Sequence, residues 1–163
     1  ASGQWGNIVF PTFRLAEMYL NFIESVLECK KRNVNLPAGY ETQAMELWAD
    51  LRDRAGLVPV TEVYPNASNE ELIKLCRNER RVELAFENHR YFDTRTWMIA
   101  KEVDGVPMFG MNTQYPGSGD DTPDGFWERV TFETRVFEDN HYLYPFSQRE
   151  LDRNKLLTQN YGW

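Results

Sequence analysis

At 163 residues, with 42% hydrophobic and 14% aromatic content, the chain can bury one genuine core and is too short for two comfortable domains. Wholesale disorder is excluded by that composition. Eighteen basic against twenty-five acidic residues give a net charge of −7, with the basic residues interleaved among acids, so the clustered Lys/Arg footprint of a nucleic-acid partner is missing.

Cys29 and Cys76, the two cysteines, each fall inside a helical pattern and read as small buried hydrophobes; a disulfide between them stays open. With His89 and His141 widely spaced, they form no zinc signature. No apolar run approaches the ~20 residues of a membrane span. The chain opens in ASGQWGN, without an initiator Met or a signal peptide, and is expected to be a processed or excised piece.

The first predicted element is a helix in FPTFRLAEMYLNFIESVLECKKRN, started by Pro11 and Thr12, with an apolar stripe of Leu15, Tyr19, Phe22, Val26 and Cys29. The run Lys30 to Asn33 suits its negative C-terminal end. After a turn at NLPAGY, a second helix places Ala44, Leu47, Trp48, Leu51 and Ala55 on one face, with Gly56 as its stop. The two helices should pack antiparallel as a hairpin. Ser68 and Glu71 have capping-box spacing and open a third helix, predicted to be the longest. Its stripe runs Leu72, Leu75 and Cys76, then Glu79, Glu83, Phe86 and Arg90, so the apolar seam turns charged halfway along. Trp48 and Trp97 are both expected in the core.

From Lys101 to Gly125 the chain is rich in Gly, Pro and Asp and reads as one long loop with room for a short hairpin. RVTFETRVF alternates Val130, Phe132 and Val136 on one side and predicts a short strand. The last stretch should run strand-like to Pro145, form a short helix from Ser147 and end in an extended tail.

Chemistry has three candidate locations. Glu79 and Glu83 lie one turn apart, with Cβ atoms about 6 Å from each other, a separation close to that of a retaining glycosidase pair. Such pairs flank a substrate bond and come from different elements, however, and Arg77, Arg80, Arg81 and Arg90 crowd this helix. The favoured reading is a structural ion-pair network. Asp120, Asp121 and Asp124 in GDDTPDG are the weak metal candidate, a structural calcium site; Thr122 and Thr131 stand where an EF-hand needs acids, and a solvated turn is the plainer reading. Phe109, Tyr115, Phe126 and Trp127 lie in or beside the polar loop, where exposed rings could stack on a sugar or a partner. Sequence signatures of a catalytic serine, a zinc protease or a phosphate loop are missing.

Three ordered stretches, RLAEMYLNFIE, LIKLCRNERRVELAFENHRYFDTRTW and YLYPFSQRELDRNKLLTQNYGW, resemble the C-terminal region of the SusD/RagB family of nutrient-binding outer-membrane lipoproteins. Arg14, Ala16, Glu17 and Glu24 match the first motif. Glu79, Arg80, Glu83, Leu84, Phe86, Glu87, Arg90, Asp93 and Trp97 match the second, and Asn154, Leu157, Gln159, Asn160, Gly162 and Trp163 the closing one. Asn88 replaces the usual glycine, Thr96 a frequent arginine, and Tyr161 a common proline.

The resemblance implies a mainly α fold over residues 1–163: a helix-hairpin, tetratricopeptide-like framework with long loops and a short β-hairpin or strands in the C-terminal third. It makes Arg14, Glu17, Glu79, Arg80, Glu83, Glu87, Arg90 and Asp93 a structural framework. It also implies a non-catalytic protein that captures glycans or other nutrients at the bacterial surface and delivers them to a SusC-like TonB-dependent transporter. Membrane attachment would come only through an N-terminal lipid absent from this chain, which reads as a fragment. The alternative is a scaffold that contacts the transporter without binding glycan. A hydrolase using Glu79 and Glu83 is the third reading.

Overall fold

The structure, a computed structural model, describes residues 12–113 and 127–163. Its contacts divide the chain into two compact units, Ala1–Arg90 and Tyr91–Trp163.

The first unit is built on three helices: α1 (Leu15–Lys31), α2 (Tyr40–Arg54) and α4 (Asn69–Glu83), with a single turn, α3 (Val60–Val63), between the last two. α1 packs against both α2 and α4. No Gly or Pro interrupts it, Glu17 lies in its first turn, and Lys30 and Lys31 in its last turn complement the helix dipole. Its buried face is Ala16, Leu20, Ile23, Val26 and Leu27, rotated by about one residue, ~100°, from the stripe the periodicity predicts. Leu15 is 65% exposed, and Tyr19 and Phe22 pack only partly against the core. Contact with two neighbouring helices at once explains the shift: slim branched side chains fill the centre, and the rings take the rim, where Phe22 meets Tyr40 edge-on at 5.5 Å.

α2 buries Ala44, Trp48 and Leu51 as its pattern predicts, while Ala55 is left exposed at the C-cap. Gly56 follows at φ 72°, the left-handed stop that glycine adopts without a Cβ penalty. The Ser68 box forms in full: the Ser68 side chain accepts from the Glu71 N–H, and Glu71 accepts from the Ser68 N–H at 2.7 Å. Asn69 then donates to the Leu27 carbonyl at 3.0 Å, joining the start of α4 to the end of α1.

α4 is not the longest helix and does not run through to Arg90. It has 15 residues against 17 in α1 and stops at Glu83. Phe86 and Asn88 both take φ 65°, in the left-handed region, where a right-handed helix cannot continue. α5 (His89–Thr96) starts beyond them. Phe86, expected on the buried stripe, is instead wholly exposed, and Leu84 takes the core position. Cys29 and Cys76 are free thiols, one half-buried and one buried.

In the second unit α6 (Ala100–Val103) precedes an antiparallel hairpin of β1 (Pro107–Met111) and β2 (Arg129–Thr134), with an irregularity in register between Met108 and Phe109. Every residue of β2 is exposed, so Val130 and Phe132 do not form a buried side, and Val136 lies beyond the strand. Phe132 instead lies across the hairpin over Gly110, whose missing side chain makes room for the ring. Trp97 is half-buried rather than in the core; among the described residues of this unit Thr94, Ala100 and Phe137 are buried.

A 3-10 turn, Asp139–Tyr142, replaces the start of the predicted terminal strand, and α7 (Gln148–Arg153) opens at Ser147 as expected. The tail is held by side-chain bonds to distant backbone. Trp163 Nε1 donates to the Asn140 carbonyl at 3.0 Å, Asn160 to the Tyr144 carbonyl at 2.6 Å, and Gln159 both donates to and accepts from the Phe146 backbone. Gly162 has φ 83°, and a Cβ there would stand 2.6 Å from Asn140 Cβ, so the close approach of tail and turn requires glycine.

Candidate functional site

The charged end of α4 is gripped from both sides. Arg14, at the α1 N-cap, makes a bidentate pair with Glu87, Nε and Nη2 each at 2.8 Å. It also donates to the Glu83 carboxylate at 2.9 Å and to the Glu83 carbonyl at 2.8 Å. Arg54, from the end of α2, reaches the same Glu83 oxygen at 2.6 Å. One turn earlier Arg52 bonds Glu79 at 2.6 Å while its Nε holds the Val58 carbonyl. The Arg14 hydrogen bond keeps the Glu87 carboxyl below its ordinary range, and the Glu87 bond raises Arg14 in turn.

The remaining framework positions have partners as well. Arg80, 7% exposed, donates to Asn21 Oδ1 at 2.6 Å. Glu17 lies 3.7 Å from His89, and Arg90 and Asp93 are half-buried on α5, each with a partner. Arg77 spans Glu24 and Glu28 of α1 at 3.0 Å each. Glu79 and Glu83 therefore accept from different arginines and do not face each other across a gap a sugar could enter, which is the arrangement of a brace. Cys76 is no nucleophile either: burial pushes its thiol up to about 12. Arg52 and Arg54 were not singled out by sequence reasoning; their place in the last turn of α2, facing the next helix, was the available signal.

Of the four loop aromatics, Phe109 and Trp127 are described; Tyr115 and Phe126, and the calcium candidates Asp120, Asp121 and Asp124, lie outside the described residues. Phe109 is about half exposed on β1, with the Arg129 guanidinium 3.9 Å from its ring centroid. A ligand would have to displace that cation or use the other ring face. Trp127 is 57% exposed at φ 67°, its N–H bonded to the Asn112 carbonyl at 2.9 Å. Among the described residues no group of three His, Cys, Asp or Glu is arranged to hold a metal ion.

Two concavities lie away from these positions. One of about 460 Å³ in the first unit is lined by Tyr64, Pro65, Asn66, Ala67, Lys74 and Leu75, among others. Another, of about 650 Å³ in the second unit, is bounded by Met98, Lys101, Asp139, Tyr142, Leu143 and Tyr161. Both sizes fit a small-molecule site.

The helical framework has counterparts in known proteins. The SusD family model matches residues 1–163, and the chain belongs to the SusD family. Among solved structures, a SusD-like protein (BF3747) from Bacteroides fragilis aligns with a TM-score of 0.72 at 30% identity, covering 93% of this chain and 25% of that one. BT4246 aligns with a TM-score of 0.75 at 30% identity, covering 96% of this chain and 24% of that one. The chain thus spans about a quarter of the length of the solved structures it matches. None of the curated proteins searched matches.

Proposed function

We propose that this chain is part of a non-catalytic nutrient-binding protein of the outer membrane, which captures glycan at the cell surface and passes it to a SusC-like TonB-dependent transporter. The SusD-family match over residues 1–163 carries the reading. The paired state of Glu79 and Glu83 agrees with it, since carboxylates held by Arg52, Arg14 and Arg54 serve as struts. Attachment to the membrane is assigned to a lipid anchor; among the described residues no helix is long and apolar enough to cross a bilayer. Phe109, Tyr115, Phe126 and Trp127 are proposed to contribute rings to ligand recognition, with Trp127 the most accessible of the two described. Asp120, Asp121 and Asp124 are retained as a candidate calcium turn.

Affinity electrophoresis through gels containing single polysaccharides tests the binding claim. Retardation of the chain by one glycan is the expected result, weakened by Trp127→Ala. Migration unaffected by every glycan contradicts it for this portion and favours the scaffold alternative, in which the chain contacts only the transporter.

A further inference from the structure

We infer that the pocket between α6, the 3-10 turn and the C-terminal tail is a saccharide subsite, with Tyr161 as its stacking platform. The inference rests on the proposed nutrient-binding function and locates a recognition surface for it separate from the hairpin rings.

One wall of the pocket is fixed. Tyr142 packs edge-on against buried Phe137 at 4.9 Å, and its hydroxyl accepts the Lys101 N–H at 3.3 Å. Tyr161 also lines the pocket, and its neighbours in sequence hold its backbone in place. Asn160 is bonded to the Tyr144 carbonyl, Gly162 is pressed against Asn140 and accepts its side-chain N–H at 3.2 Å, and Trp163 bonds two carbonyls of the turn. Between these anchors Tyr161 remains 84% exposed. A clamped backbone carrying an exposed ring is a preorganised binding element, because the entropy of ordering it is already lost.

The polar lining selects the ligand class. Lys101 and Asp139 pair at 2.9 Å in the pocket, with Glu102 beside them. Donor and acceptor thus stand together, as suits a hydroxyl, which both donates and accepts. A polyanion would meet Asp139 and Glu102, and a polycation Lys101. Exposed Met98 and Leu143 add apolar surface that matches the C–H face of a pyranose. A neutral oligosaccharide combines these properties, with one ring against Tyr161 and its hydroxyls on Lys101 and Asp139.

Isothermal titration of the 163-residue chain with maltohexaose, cellohexaose, xylohexaose and mannohexaose, and with a tryptic digest of casein, tests this. Tyr161→Ala should weaken the bound saccharide about tenfold, the scale of losing one aromatic anchor. Tyr161→Phe should bind like the wild type, and the melting temperatures of all three should agree, since the ring is exposed. Saccharide binding unchanged by Tyr161→Ala overturns the subsite and leaves the proposed function standing. Binding of no saccharide, or of casein peptides alone, overturns both.

Discussion

Glu83 exposes only 14% of its side chain and gives one oxygen to two arginines, so its removal leaves Arg14 and Arg54 without that partner. Arg54, 58% exposed, returns to solvent, but Arg14, 26% exposed, keeps only Glu87 to offset its desolvation. Glu83→Ala should therefore lower unfolding stability by about 2–3 kcal/mol, read from urea midpoints at unchanged m-value. Equal midpoints for variant and wild type would refute the brace. At this scale the sequence was legible in part. The glutamates and the Arg14 position stood out as a pattern, but Arg52 and Arg54 lie 27 and 29 residues from their partners, and no local period reports such a distance. Asn88 stood out as a residue in place of the usual glycine, and its left-handed backbone supplies the reason: asparagine tolerates that conformation best after glycine. Phe86 adopts the same conformation with nothing in its residue type to announce it.

Among the elements, α2 and the start of α4 followed from sequence because their signals are local: a 3.6-residue period, a capping box and a glycine stop. The break after Glu83 was hidden, since Leu84, Ala85 and Glu87 are good helix formers and only the backbone geometry of Phe86 and Asn88 ends the helix. The terminal aromatic run looked like a strand, yet its path is set by the distant bonds of Gln159, Asn160 and Trp163. The capping box gives a prediction with a pH sign. Hydrogen bonds from the Ser68 N–H and hydroxyl lower the Glu71 carboxyl below its ordinary value. A depressed carboxylate stabilises the fold above its unfolded value, and the contribution disappears as pH falls through the folded one. Glu71→Ala should lower the melting temperature at neutral pH, and thermal melts should show the difference shrinking as the solution is acidified below the carboxylate range. A penalty that is the same in acid would show that the Glu71 charge does not stabilise the helix start.

On the scale of the molecule, the closing motif and the charged helix pointed to the family before any geometry, and the helical framework follows from the same patterns. The candidate binding surface was less legible. Tyr161 drew notice only as a substitution for proline, because ring exposure depends on how the tail meets the 3-10 turn. The proposed function requires this chain to hold glycan without breaking it. The most direct measurement is mass spectrometry of the four hexasaccharides after prolonged incubation with the chain and separation on a sizing column. One hexasaccharide should be recovered in the protein fraction at its original mass, with all four intact. Shortened products, or no saccharide travelling with the protein, would contradict that function.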